Sequence, residues 1–215
     1  MVFADRRDAG RALAKTLREQ AIFENAIVLA LPRGGVPVGY EVATELHLPL
    51  DVFIVRKLGV PFEPELAMGA VASGGIVVLN EHVLRLYSIR REVVDAAIAR
   101  EQEEIGRREV VYRGGRPPAP LPGRTVIVID DGLATGATMR AAIRALRPVA
   151  GWMIVAVPVA AAATCEQIRQ EVDHLISLEC PESFSAVGEF YREFEPTTDD
   201  EVRALLSAAH TRPAV

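Results

Sequence analysis

Cysteine and aromatic residues are scarce in this chain: two cysteines among 215 residues, and 6% aromatics. Two thiols cannot build a disulfide-stapled miniprotein or a cysteine zinc site. With no recognisable secretory leader, Cys165 and Cys180 are expected to be inert thiols in a reducing, cytoplasmic setting, since they lack C-x-x-C spacing. Long hydrophobic runs are also missing. The longest, Trp152 to Ala163, is too short for a bilayer and is interrupted by Pro158, so no membrane-crossing helix is expected. Positive charge is not in excess either, because 24 Lys and Arg face 29 Asp and Glu for a formal net charge of -5. That argues against nucleic acid and anionic membranes as partners, while leaving room for a local basic pocket. His47, His82 and His174 have no neighbours at metal-ligand spacing.

What is present is half apolar, enough for one sizeable core. The apolar residues come in short continuous runs, the pattern of strands buried on both faces, alternating with helical periodicity. Ala26-Ile-Val-Leu-Ala-Leu31 reads as a strand that ends at Pro32-Arg33-Gly34-Gly35. A helix follows, with Pro37 in its first turn and Val38, Val42 and Leu46 on one face, and Asp51-Val-Phe-Ile-Val55 reads as a parallel partner strand. Upstream, Asp8 is expected to cap a helix with Ala9, Leu13 and Leu17 on one face. From Lys57 to Pro122 glycine and proline punctuate the pattern, which predicts a mobile or ribbon-like excursion, a charged helix over about Arg90–Glu109, and a non-helical Pro117–Pro120 linker. Thr125-Val-Ile-Val-Ile129 is the next strand, Met139, Ala142, Ile143 and Leu146 face one side of a helix, and Met153–Val159 and His174–Leu178 are further strands. Thr164 and Gln167 have the spacing of a capping box. The fold class is α/β, with a mostly parallel central sheet.

In such sheets ligands bind beyond the carboxyl ends of strands. The loop after Thr125–Ile129 places Asp130 and Asp131 at a strand end, followed by Gly132-Leu-Ala-Thr-Gly-Ala-Thr138 at a helix start. Amides of that helix start and the hydroxyls of Thr135 and Thr138 suit a phosphate, with Gly136 allowing close approach. Carboxylates repel phosphate, so Asp130 and Asp131 must address something attached to it, either vicinal hydroxyls or a hydrated Mg²⁺. A ribose 5-phosphate meets both demands. A Walker loop is excluded because Ala137, not lysine, precedes Thr138, and no G-x-G-x-x-G occurs.

These residues resemble a known signature. Val126-Ile-Val-Ile-Asp-Asp-Gly-Leu-Ala-Thr-Gly-Ala-Thr-Met139 resembles the phosphoribosyl pyrophosphate (PRPP) motif of the type I phosphoribosyltransferases, and Leu31-Pro-Arg-Gly-Gly35 resembles their pyrophosphate loop. Val55-Arg-Lys-Leu-Gly59 resembles the strand end leading into their flexible loop, and Pro181–Gly188 weakly resembles their hood. The chain as a whole is most similar to an uncharacterised bacterial branch of that family.

The resemblance implies a core over residues 1–178, with the excursion at about 57–122 inside it, and a hood-like segment over 179–215 that is not a separate domain. It implies a transferase that moves the phosphoribosyl group of PRPP to a nitrogenous acceptor in nucleotide metabolism, releasing pyrophosphate. The alternative it allows is a PRPP-binding sensor without transferase activity. Asp130 and Asp131 would contact the ribose hydroxyls directly or through Mg²⁺, and Ala134, Thr135, Gly136, Ala137 and Thr138 would hold the 5-phosphate. Arg33, Gly34, Gly35, Arg56 and Lys57 would receive the pyrophosphate, with a cis peptide expected between Arg33 and Gly34. Arg33 joins the two aspartates as a catalytic residue in this reading. Phe184 is a candidate for stacking on the acceptor, Glu193 or Glu195 for a second metal contact, and a homodimer is expected. Ala134 stands where the hypoxanthine and guanine enzymes carry an acid, which disfavours a 6-oxopurine acceptor.

Overall fold

The computed structural model describes residues 2–20, 23 and 25–211. Five strands form a wholly parallel sheet: β1 (Ala26–Ala30), β2 (Leu50–Val52), β6 (Thr125–Ile129), β7 (Trp152–Val159) and β8 (His174–Glu179), in the order β2-β1-β6-β7-β8. Their continuous apolar runs are explained by burial on both faces. Successive side chains alternate between two cores. Val28, Ala30, Ile127, Ile129, Ile154 and Ala156 face α1 (Arg6–Gln20), α2 (Gly35–Glu45) and α7 (Asp199–His210). Ile27, Leu29, Val126, Val128, Met153 and Val155 face α5 (Ala137–Leu146) and α6 (Ala162–Arg169).

The excursion after β2 takes the ribbon form. β3 (Val55–Val60), β4 (Glu63–Ala72) and β5 (Ile76–Leu79) make a separate antiparallel sheet, with register irregularities around Gly59. α3 (Glu81–Leu86) and α4 (Arg91–Arg113) follow, and α4 buries Val94, Ala97, Ile105 and Tyr112 along one face. The proline-rich linker lies against the sheet edge, where the Ala119 amide donates to Asp51 Oδ2 at 3.0 Å.

The N-terminal segment pairs with the stretch that follows β8. Phe3 pairs with Tyr191 as a parallel bridge, with the Phe3 amide donating to the Phe190 carbonyl and the Arg192 amide to the Phe3 carbonyl. Beyond this hood-like stretch, α7 returns to the core, burying Val202 and Leu206 and packing on α2 and α4.

Three local expectations are corrected. The cap of α1 is Asp5, whose Oδ1 accepts from the Asp8 amide at 2.7 Å, while Asp8 reaches back to the Ala4 amide at 3.0 Å. Both aspartates cap, but the chain turns helical one residue after Asp5. Thr164 does not begin a capping box, because α6 already starts at Ala162 and the threonine hydroxyl donates to the Ala134 carbonyl at 2.6 Å. Cys165 and Cys180 are not free thiols but are joined as a disulfide, their Cα atoms 6.7 Å apart. The return of α6 along β8 brings the start of the helix beside the end of the strand, a proximity that their spacing of 15 residues does not announce.

Candidate functional site

Because β1 and β6 are neighbours, their exit loops touch. The Leu31 amide donates to the Ile129 carbonyl at 2.8 Å, so the chain leaves both strands at the same level. A Cβ on Gly34 would lie 2.0 Å from Asp131 Oδ2, and one on Gly35 would lie 2.9 Å from the Asp130 Cα. Only glycines let the turn at 32–35 close against the acidic pair. The cis peptide is Pro32–Arg33 rather than Arg33–Gly34. Gly34 already has helical φ and ψ of -58° and -33° at the start of α2, so the chain reversal falls one peptide earlier.

Asp130 Oδ1 accepts from the Asp131 amide at 2.9 Å. Burial pushes the Asp130 carboxyl well above the usual carboxylate range, and the Asp131 carboxylate beside it pushes the same way. Asp131 has a cationic partner: Arg6 Nε donates to its Oδ2 at 2.7 Å. Its backbone carbonyl accepts from the Tyr191 hydroxyl at 2.5 Å, and burial pushes that phenol upward so that it stays a donor.

The rest of the loop is pinned on its far side. The Leu133 amide donates to the Val159 carbonyl at 2.9 Å, and Thr164 holds Ala134 as described above. Gly136 adopts the left-handed region at φ +67°, where a Cβ would also lie 2.7 Å from Thr164 Cγ2. No side chain caps α5 through Gly136, and the Ala137 amide reaches only Thr135 Oγ1 at 3.4 Å. Ala134, Thr135, Ala137 and Thr138 are exposed. The loop therefore presents a helix start and hydroxyls to solvent, the donor set an anion uses.

The other expected residues are distributed unevenly. Arg33 stands on the glycine turn but its Nη1 lies 3.6 Å from Asp199 Oδ1, at the start of α7. Arg56 and Lys57 point to opposite faces of β3, as successive strand residues must. Arg56 is drawn to Glu101 of α4, Nε to Oε2 at 2.7 Å. Lys57 lines a cavity of about 200 Å³ with Ala137, Arg140 and Arg144 of α5, next to the loop that ends at Gly136. Phe184 is half-buried and stacked on Phe190, ring centres 5.5 Å apart. Glu193 and Glu195 do not join the aspartates: among the described residues no group of three or more acidic, His or Cys side chains could hold a metal alone. Their segment contributes instead the Glu195 carbonyl, which accepts from Arg6 Nη1 at 2.7 Å.

Arg6, Thr164, Tyr191 and Phe194 were not expected at the site. They act on residues tens to more than a hundred positions away, and no local pattern marks them.

Residues 64–195 match the family model of the phosphoribosyl transferase domain. Two Mycobacterium tuberculosis sequences, from strains CDC 1551 / Oshkosh and H37Rv, carry the provisional name of phosphoribosyl transferase and are each 45% identical over 210 residues. The alignment covers 97% of this chain and 47% of each relative, so the chain spans about half the length of the curated relatives it matches. The crystal structure of a Thermus thermophilus protein, TT1426, superposes with a TM-score of 0.86 at 41% identity, over 96% of this chain and 98% of that one. A hypothetical protein from Neisseria gonorrhoeae, solved with bound ppGpp, shares the fold at a TM-score of 0.50 and 15% identity over 96% of each chain. Among the described residues no helix is long and apolar enough to cross a membrane.

Proposed function

The chain belongs to the phosphoribosyltransferase family, and from that premise we propose that it transfers the 5-phosphoribosyl group of PRPP to a nitrogenous small-molecule acceptor. The observation that carries this reading is the contact between the acidic pair and the glycine turn, with the anion-binding loop continuing from the same strand end. Each part of PRPP then has a partner. Ala134–Thr138 hold the 5-phosphate, Asp130 and Asp131 accept from the ribose hydroxyls, and Arg33 with the Gly34 and Gly35 turn receives the pyrophosphate. Lys57 adds positive charge beside the phosphate loop, Arg56 is positioned by Glu101, and Phe184 offers a ring to the acceptor.

In the reaction the bond from C1 of the ribose to the pyrophosphate oxygen breaks, and pyrophosphate leaves with the electron pair. The acceptor nitrogen forms the new bond to C1 and gives up its proton. No covalent intermediate on the protein is needed. Positioning of the two reactants and stabilisation of the departing anion supply the rate enhancement. Arg33 is exposed and only 3.6 Å from Asp199, a pairing weak enough for a pyrophosphate to displace.

The donor set suits Mg²⁺: Asp130 is a half-buried carboxyl whose hydrogen bond comes from a backbone amide rather than a cation, and Asp131 keeps acceptor sites beside the one used by Arg6. An ion entering with the pyrophosphate would be held through water by Asp130 and Asp131, and when bound it supplies positive charge against that leaving group.

The test is to incubate the protein with PRPP, Mg²⁺ and a panel of purine, pyrimidine and amine acceptors, following pyrophosphate release. Acceptor-dependent release, lost in Asp131→Asn, is the expected result. PRPP binding without release for any acceptor would favour the sensor, and no PRPP binding would end the assignment.

A further inference from the structure

Arg6 is the first residue of α1, yet its side chain works on Asp131, 125 positions away. The two side chains are 11% and 15% exposed, so the pair is shielded from bulk water. The guanidinium is held on three sides. Nε donates to Asp131 Oδ2, Nη1 donates to the Glu195 carbonyl, and Cζ lies 3.8 Å from the centre of the Phe194 ring. Phe194 in turn stacks on Tyr191, whose hydroxyl fixes the Asp131 backbone. The frame that presents Arg6 is the bridge between the chain ends, including the Glu193 amide donating to the Ala4 carbonyl at 3.0 Å. This is a cation built into the fold at a fixed place on one carboxylate.

Such a cation changes what the acidic pair needs. Two adjacent carboxylates that must accept from hydroxyls repel each other, and a divalent ion is one way to offset that charge. Arg6 already offsets it. A carboxylate offers about four lone-pair sites, and Arg6 takes one at Oδ2, leaving others for hydroxyls.

We propose that Arg6 is the resident counter-cation of the acidic pair, a positioning residue that lets Asp130 and Asp131 grip the vicinal hydroxyls of a ribose phosphate without a divalent metal between them. The metal requirement then arises from the pyrophosphate alone. This inference rests on the PRPP reading above.

Ribose 5-phosphate separates the two demands, because it carries the hydroxyls and the 5-phosphate but no pyrophosphate. Calorimetric titration of ribose 5-phosphate into the wild-type chain should give the same affinity in Mg²⁺ and in EDTA, whereas PRPP should bind more tightly with Mg²⁺. Arg6→Gln should weaken ribose 5-phosphate binding in EDTA by about tenfold or more, the loss of one charged hydrogen bond, with part of the loss recovered on adding Mg²⁺. Arg6→Lys, which keeps the charge, should restore metal-independent binding. A purely structural role for Arg6 would lower affinity equally with and without Mg²⁺, and that result would overturn the proposal. So would a wild-type chain that binds ribose 5-phosphate only when Mg²⁺ is present, a measurement that needs no variant to fold. If the folded wild type binds PRPP but its ribose 5-phosphate affinity responds to Mg²⁺, only the role of Arg6 falls. If it binds neither compound under any condition, the PRPP reading falls and takes this inference with it.

Discussion

Asp51 in β2 and Asp130 just beyond β6 stand on the two strands that flank β1, and both carry a carboxyl largely out of bulk water, but their surroundings differ. Asp51 is fully answered: Arg113 Nε donates at 2.8 Å, and the Val52 and Ala119 amides donate at 2.7 and 3.0 Å. Arg113 is itself completed by the Val52 carbonyl at 3.0 Å. Asp130 accepts from the amide of its own neighbour and otherwise faces the carboxylate of Asp131, whose Oδ2 accepts from Arg6. The first carboxyl ties α4 and the proline-rich linker to the sheet edge. The second has no cation of its own among the described residues: Arg6 offsets part of its repulsion from Asp131 through the neighbouring carboxylate, and burial still holds it well above the usual carboxylate range, the pattern that marks a candidate ligand-binding group. A buried charge alone therefore does not identify a site; an incompletely answered one beside a glycine turn does.

That contrast can be broken deliberately. Asp51→Ala removes one of the two carboxylates paired with buried Arg113, Glu109 Oε1 at 2.9 Å from Nη1 being the other, and leaves the Ala119 amide without its acceptor; it should cost about 3 kcal/mol of stability, read as a lowered urea midpoint, without any specific change at the loop after β6. If the variant is as stable as wild type, Asp51 is not the structural member of the comparison. Gly34→Ala has no backbone penalty at φ -58°, but its Cβ would lie on Asp131 Oδ2. Forcing that carboxylate aside should cost about 1–3 kcal/mol and remove most PRPP affinity in the same calorimetric assay. Asp130→Asn should move the other way in stability, holding it or raising it by up to about 2 kcal/mol, because it relieves the repulsion with Asp131 while PRPP binding is lost. A strongly destabilised Asp130→Asn protein would place Asp130 with Asp51 instead.

The smallest effect lies away from both. Arg147 holds the Asp173 carboxyl below its ordinary value through paired hydrogen bonds at 2.6 and 3.0 Å. A depressed carboxylate stabilises the fold above its unfolded pKa and loses that contribution as pH falls through the folded value. Asp173→Asn should therefore cost at most about 1 kcal/mol near neutrality, and its urea midpoint should converge on that of wild type on acidification below pH ~4. A constant difference across that range would show that the ion pair is not the cause.

How much of this was legible in the sequence depends on range. The strand Thr125–Ile129, its acidic exit and the helix starting at Ala137 were readable because period, turn chemistry and composition act within a few residues. The approach of Gly34 to Asp131 followed only if their strands were adjacent, and β1 and β6 are. Arg6 could not be read: an arginine at the start of an amphipathic helix looks like any solvated cation until the chain ends are known to cross. Thr164 was readable as a threonine near a helix start, yet its hydroxyl serves the neighbouring loop rather than its own helix. The disulfide was missed for the same reason, since a spacing of 15 residues has meaning only once α6 is known to return beside β8. The excursion at 57–122 was legible only as mobile or ribbon-like because Gly59, Gly69, Gly74 and Gly75 interrupt its apolar runs; the ribbon forms because each strand needs only a neighbouring ribbon strand.

The most direct test of the account is a calorimetric titration of PRPP into the wild-type chain and into an Asp130→Asn, Asp131→Asn double variant, each with and without Mg²⁺. The account predicts wild-type binding that strengthens with Mg²⁺ and no measurable binding to a double variant that remains folded. Equal binding by the folded double variant, or none by the wild type, would contradict it.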